Sequence, residues 1–386
     1  MEVSFSFYGA GVRVEAILPL VERLRKDFSF FSAASAASPL NPDFSLEKSA
    51  RRAATHLSGA SGVNPACPAA AVAIGGTACE FCSPNAKFGL NIRLHLEPPD
   101  FSIIPEGLSG RYYHPEFVLF EDKAGRRYID YQGEALACFS RGKKEADIYS
   151  ASLELLHEIA YLAVLSVSGE AMEKRKYFRM HGLSLLHRGT GIALLAPTGC
   201  GKTSIFLNLL KEEDIGFYSD DIVLVDRSLR LHPFPLRIGI RPEDRVLFHG
   251  IPERYLYTLE RRKYGSKHLL DSAYFSQKIA GPEKLEILFV AERWNGNGCK
   301  ISPAGRMLVF RTLFRDLVVG LGLPQLVEYL NWKISLKGAL ILSGKLARRL
   351  SMAIRIVSGC RAYRIFLGRD SRVNSRQLLE FLGAAE

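Results

Sequence analysis

GIALLAPTGCGKTSIFLNLL, residues Gly191 to Leu210, is the stretch that decides how this chain is read. Ile192 to Leu195 has the length and apolar composition of a buried strand. A turn at Pro197, Thr198, Gly199, Cys200 and Gly201 follows, and then Lys202-Thr203 with Ile205, Phe206, Leu209 and Leu210 at helical spacing. Strand, glycine-rich turn and helix opening on Lys-Thr is the order that a phosphate-binding loop requires. Backbone N–H groups of such a turn face an anion, and the helix dipole favours negative charge at the same point. Lys202 is then expected to reach the β- and γ-phosphates of a nucleoside triphosphate, with the Thr203 hydroxyl on a magnesium ion. Ala196 stands where the pattern has its first Gly, so the chain has to enter the loop there with φ below zero. Gly-Lys-Thr alone would equally describe an ordinary turn; the flanking strand and helix argue for the loop.

Two further elements bracket it. Downstream, Ser219-Asp220-Asp221 opens the apolar run Ile222 to Val225, which puts a carboxylate pair at the start of a strand. Phosphoryl transfer needs one carboxylate near the metal and another to orient the nucleophile. Adjacent strand residues point to opposite faces, so the two Asp should have different surroundings. Read alone, a pair of Asp before a strand is also a common turn. Upstream, Met180 to Leu186 precedes a turn at Arg188 to Gly191, which reads as a hairpin whose first strand carries His181 beside the loop strand.

His181-Gly182, then Ala196 to Thr203, then Ser219 to Asp221, resembles the serine kinases related to HPr kinase/phosphorylase. Those enzymes share a phosphate-loop fold with phosphoenolpyruvate carboxykinase. The stretch Leu231 to Arg237, LHPFPLR, and the C-terminal Arg361 to Leu367 are similar to a subgroup found with peptide-modification clusters, including the SynChlorMet cassette. The resemblance implies an α/β (α+β) fold with a PEP carboxykinase-like nucleotide domain. It implies that Lys202 binds the β- and γ-phosphates and that Pro197 to Gly201 cradle them. Thr203 and Asp221 would hold magnesium, Asp220 would take the proton of a Ser hydroxyl, and His181 would lie at the transferring phosphate. The glycine-rich second signature of the bifunctional HPr enzymes does not follow the Asp pair, so no phosphorylase activity is expected. The expected activity is an ATP- and magnesium-dependent Ser kinase acting on a peptide or small protein. A small-molecule kinase and a nucleotide-sensing scaffold that only holds a peptide are the alternatives.

Composition bounds these readings. With 386 residues, 47% hydrophobic and 24% charged, the chain is long enough for two domains with sizeable cores. A net charge of +11 would suit nucleic acid, a membrane or an acidic peptide. No RNP signature or zinc-finger spacing points to nucleic acid. Apolar stretches such as Leu317 to Leu323 fall short of a bilayer span, so no membrane partner is expected. Without a basic n-region and apolar h-region at the start, a cytoplasmic location is expected. Cys79 and Cys82, near Cys67, have metal-like spacing, with His56 or His95 as a further ligand; the odd, scattered set of seven Cys describes no disulfide framework.

The chain is expected to divide into an N-terminal α+β region, residues 1–169, and a kinase domain, residues 170–386. Val3 to Ala16 alternates as a hairpin, Ile17 to Phe30 as an amphipathic helix, and Phe117 to Tyr131 as another hairpin. An Ala/Ser/Pro-rich insertion at about 32–87 has little periodicity and reads as poorly ordered. Tyr149 to Val167 reads as a helix and Leu285 to Glu292 as a buried strand. Arg237 and Arg293 are candidates for facing the phosphates. Leu346, Leu350 and Ile354 repeat at helical spacing among basic residues, which reads as a packed helix.

Overall fold

The computed structural model describes residues 1–32, 87–140, 142–240, 242–261, 265–324, 326 and 336–385. The expected poorly ordered insertion, apart from its end residues, and the proposed ligands Cys67, Cys79, Cys82 and His56 lie outside these residues. Among the described residues the fold is mixed α+β, with strands in three sheets.

The first sheet contains β1 (Glu2–Phe7), β2 (Ala10–Glu15), β3 (Lys87–His95), β4 (Tyr112–His114), β5 (Phe117–Glu121), β6 (Arg127–Asp130), β7 (Ala135–Ser140) and β8 (Glu145–Ser150). Its order is β1-β2-β3-β8-β7-β6-β5-β4. Both hairpins read from the sequence, β1–β2 and β5–β6, are antiparallel pairs in it. One face is covered by α1 (Leu18–Asp27) and α2 (Leu153–Lys174). The Ser152 hydroxyl caps α2 by accepting from the N–H of Leu155. That helix is long and apolar enough to cross a membrane, contrary to the expectation that no run approaches this length, and 72% of its apolar window is buried in the fold. It is apolar around most of its circumference because it packs against the first sheet on one side and β9 on another.

The central sheet contains β9 (Tyr177–His181), β10 (Leu183–His187), β11 (Thr190–Leu195), β12 (Ile215–Ser219), β13 (Ile222–Asp226) and β14 (Arg230–His232). After a three-stranded sheet of β15 (Ile238–Ile240), β16 (Leu256–Arg261) and β17 (Gly265–Leu270), the chain returns to it as β18 (Glu283–Arg293), β19 (Lys300–Pro303) and β20 (Arg361–Leu367). β18 runs parallel to β11 on one side and to β20 on the other. In β11, Ile192 and Leu194 face the core formed with α3 (Lys202–Leu209). Ala193 and Leu195 face the opposite core, which includes Val309 of α4 (Arg306–Leu313) and Met352 and Ile356 of α5 (Leu336–Gly359). A strand covered on both faces reads as a continuous apolar run, which is why it was legible. A final helix, α6 (Ser371–Ala385), packs beside α3.

One pairing differs from the sequence reading. The hairpin is β10–β11, with Leu183 opposite Leu194, whereas His181 ends β9, which pairs with β13 and not with the loop strand. β9–β10 and β12–β13 form one long antiparallel ribbon: His187 pairs with Ile215, Ser184 with Ser219, His181 with Ile222 and Tyr177 with Asp226. The register shifts between Ser184 and Leu185, and the Gly182 N–H donates to the Asp221 carbonyl at 3.2 Å. Gly182 passes so close to β11 that a Cβ there would lie 2.6 Å from the Leu194 carbonyl oxygen. The ribbon therefore turns across the end of β11, and its two bends, His181-Gly182 and Asp220-Asp221, lie side by side.

Candidate functional site

The turn after β11 is built as its sequence requires. Gly199 and Gly201 have φ of 83° and 87°, and Gly201 is the left-handed residue that opens α3. Ala196 is buried and absent from the positive-φ residues, as its side chain demands. Pro197, Thr198 and Gly199 are exposed, and Cys200 is buried.

Five side chains converge on this elbow. The Thr203 hydroxyl donates to Asp220 Oδ2 at 2.9 Å. Lys202 Nζ donates to the carbonyls of Ala196 and Pro197 at 2.8 and 3.2 Å and lies 3.0 Å from His181 Nε2. An ammonium has only donors, so His181 Nε2 accepts from it, and the neutral ring carries its proton on Nδ1. That nitrogen stands 3.4 Å from Asp221 Oδ1. The bends of the ribbon thus deliver His181, Asp220 and Asp221 to the loop that presents Lys202 and Thr203: Thr203 meets Asp220, and Lys202 meets His181, which meets Asp221.

The two carboxylates differ as expected. Asp221 has 45% of its side chain exposed, while Asp220 is buried. Asp220 Oδ1 is enclosed and has no hydrogen-bond partner among the described residues. Burial, with the Asp221 charge adding to it, pushes the Asp220 carboxyl up to about 7, against the Thr203 hydrogen bond and the charges of Lys202 and Lys267. Burial also lowers the basicity of Lys202, which Asp221 and Asp220 oppose. It lowers that of His181 too; Asp221 opposes this shift and Lys202 reinforces it.

A cleft of about 220 Å³ opens beside Thr203, Asp220 and Asp221. Glu158, Tyr161 and Leu162 of α2 form one side, and Arg237, Gly239, Leu259, Lys267 and Leu269 another. Arg237 belongs to this wall and not to the loop. Its guanidinium stacks 3.7 Å from the Tyr161 ring centre and donates to Asp27 Oδ1 at 2.9 Å. Buried Asp27 also meets His157 Nε2 at 2.6 Å and the Tyr257 hydroxyl at 2.5 Å. Burial alone would raise the Asp27 carboxyl; the Arg237 charge, then His157 and Tyr257, outweigh it and hold it at about 2. Arg293 is at the loop, where its Nη1 donates to the Gly199 carbonyl at 3.4 Å.

Three residues of this region carried no signal in the sequence. Lys267 lies in an unremarkable polar strand. Asp27 sits among Arg25 and Lys26 at the end of α1. Asp316, buried behind Lys202 and His181 and gripped by Arg315 at 2.5 and 2.8 Å, is a lone acid in the run FRDLVV. Only an adjacent Arg-Asp pair inside an otherwise apolar run could have marked the last. Among the described residues no group of three or more His, Cys, Asp or Glu could hold a metal ion, and His95 is engaged with Asp147 at 3.1 Å.

No protein-family model matches the chain, and no curated protein is significantly similar to it in sequence.

Proposed function

We propose that this protein is an ATP- and magnesium-dependent kinase that phosphorylates a Ser-type hydroxyl, built on the PEP carboxykinase-like, HPr kinase-like phosphate-loop fold. One observation carries the reading: the strand–helix elbow with its two left-handed glycines meets Asp220 through Thr203 and Asp221 through His181 and Lys202. A generic glycine-rich turn has no reason to gather a Lys, a His and two carboxylates.

In this reading the triphosphate lies against the N–H groups of Pro197 to Thr203's turn, excluding the proline, with Lys202 on the β- and γ-phosphates. The acceptor oxygen attacks the γ-phosphorus, the bond to the bridging oxygen of the β-phosphate breaks, and ADP leaves. Asp220, which lines the cleft, takes the hydroxyl proton. Thr203 Oγ1 and the half-exposed Asp221 carboxylate are hard oxygen donors on the same cleft and suit magnesium. When bound there, the ion supplies positive charge to the phosphates. His181 holds Lys202 by accepting its proton-bearing edge. The charge neutralised is that of phosphate, so a cytoplasmic setting with abundant ATP fits the reading.

The motif resemblance favours a peptide or small protein as acceptor. The small cleft beside Asp220 favours a second reading, a small molecule. Incubation with radiolabelled ATP tests the shared chemistry. Lys202→Ala should abolish transfer together with binding of a fluorescent (mant) ATP analogue; Asp220→Asn should abolish transfer and keep that binding. Normal turnover by both variants ends the assignment.

A further inference from the structure

We infer that the outer face of α4, of the π-helical turn Phe314–Val319 that continues it and of α5 is a docking surface for an anionic lipid bilayer. This face uses none of the residues of the elbow or the cleft, and its role is independent of the phosphotransferase reading.

Positive charge is concentrated here. Residues 306–355 hold nine Lys and Arg against two acids, a net +7 of the chain's +11. Of the acids, Asp316 is buried and gripped by Arg315, and Glu328 lies outside the described residues. Lys345 and Arg349 turn inward to Glu173. Arg306, Arg311, Arg348 and Arg355 remain exposed, and among the described residues none of the four has a carboxylate partner.

Large apolar side chains stand among these cations. Val309, Leu313, Leu317 and Val318 of α4 and its π turn enter the same core as Met352, Ala353 and Ile356 of α5, and the two elements pack side by side. Their opposite sides therefore look away from the central sheet together. On that side Met307, Arg311 and Phe314 follow at helical intervals, with Met307 77% exposed, and Ile354 stands exposed beside Arg355. Val319 is exposed as well. Exposed apolar side chains gathered on one face call for a partner, and the charge around them selects it. Nucleic acid would engage the Arg residues and leave Met307, Phe314 and Ile354 in water. A second copy of the chain would bring like charges together. A peptide is gripped in a groove or at a strand edge, whereas these side chains project from helices. A bilayer surface satisfies both kinds at once: the acyl boundary takes the apolar groups and anionic headgroups take the Arg residues. Contact of this kind needs no spanning segment, so the shortness of the apolar stretches does not oppose it.

The full-length protein is sedimented with vesicles of phosphatidylcholine alone and with vesicles containing about 30% phosphatidylglycerol. Poly-L-glutamate and duplex DNA are titrated in parallel. The expected result is binding to the anionic vesicles at least about 10-fold tighter than to the neutral ones. Arg311→Gln combined with Arg348→Gln and Arg355→Gln should weaken it by about 30-fold or more. Met307→Ser combined with Ile354→Ser keeps the charge and should weaken it by about 10-fold. All five side chains are exposed, so both variants should melt with the wild type. Absence of wild-type binding to the anionic vesicles overturns the inference. Binding that survives both combined variants overturns it too, since the contact then lies elsewhere. Binding of poly-L-glutamate or DNA as tight as that of the vesicles, and indifferent to the Ser substitutions, makes the face a site for an acidic peptide or nucleic acid and also overturns it. Where a combined variant does not fold, Met307→Ser and Arg311→Gln are compared singly, each expected to weaken vesicle binding by about threefold or more.

Discussion

In the proposed reaction Asp220 takes the acceptor proton, and its pH behaviour is the most direct test of its surroundings. Because its carboxyl is raised to about 7, kcat/KM should rise with pH through about 7 and level above it. Asp220→Asn should flatten that profile and cost about 10²- to 10⁴-fold in rate. The same shift has a stability consequence. The folded protein holds this proton more tightly than the unfolded chain, whose value is near 3.8, so its contribution is complete below about 4 and is lost as pH rises through about 7. Asp220→Asn escapes that loss. At pH 8 it should be roughly 2–4 kcal/mol more stable than wild type in urea, and at pH 4 the two should agree. A variant that is inactive yet more stable would mark a site where folding has been compromised for chemistry. At this scale the sequence was legible where residue type and order carry the chemistry: Lys202, Thr203, His181 and the Asp pair all meet. It was silent on Lys267 and Asp27, because a Lys in a polar strand or an Asp at a helix end has no pattern to distinguish it.

Among the elements, the bent ribbon of β9–β10 and β12–β13 decides whether those residues meet at all. Its position over β11 depends on the absence of a side chain at 182. Gly182→Ala would drive a methyl into the Leu194 carbonyl, and a shift of the ribbon by even a few tenths of an ångström moves His181 and Asp221 together. We expect a loss of about 1–3 kcal/mol in urea denaturation, with a larger fall in activity than in stability would account for. The bend also explains why the sequence misplaced His181. Periodicity shows that Met180 to Leu186 is extended, but a strand that changes its partner midway keeps the same alternation. Helix α5 misled in another way. Leu346 and Ile354, read as its packed stripe, are 39% and 55% exposed, while Met352, Ala353 and Ile356 enter the core. Arg349 turns inward to Glu173, which also meets Lys345 at 3.6 Å. A buried Arg on the inner face disguises that face as the polar one.

At the scale of the whole molecule, the two halves expected from the sequence are joined through their interiors. Helix α2 runs without a break through residue 169, where the sequence suggested a division. Ile222, Leu224, Phe234 and Leu236 of the second half share a core with the first sheet. Phe234 packs between Phe7 and Phe31, with ring centres 6.0 and 5.0 Å away. The HPFP stretch, legible only as a resemblance, thus has a physical role as the plug between the halves. Asp27 is its polar counterpart: it reaches from α1 to Arg237 and Tyr257 and fixes the wall of the cleft. Asp27→Asn should cost about 3–5 kcal/mol at pH 7 and weaken acceptor binding more than ATP binding. Since the native carboxyl sits at about 2, its contribution is full above the unfolded value near 3.8 and disappears as pH falls through about 2. The gap between wild type and variant in chemical denaturation should therefore be constant from pH 8 to 5 and shrink below pH 4.

The unbroken α2 also limits how the gene can be dissected. A fragment beginning at residue 170 would retain only the last turn of that helix and present the greasy back of β13 to water. Such a piece should accumulate as inclusion bodies, whereas co-expression with the missing segment as a separate polypeptide should return soluble, reconstituted protein.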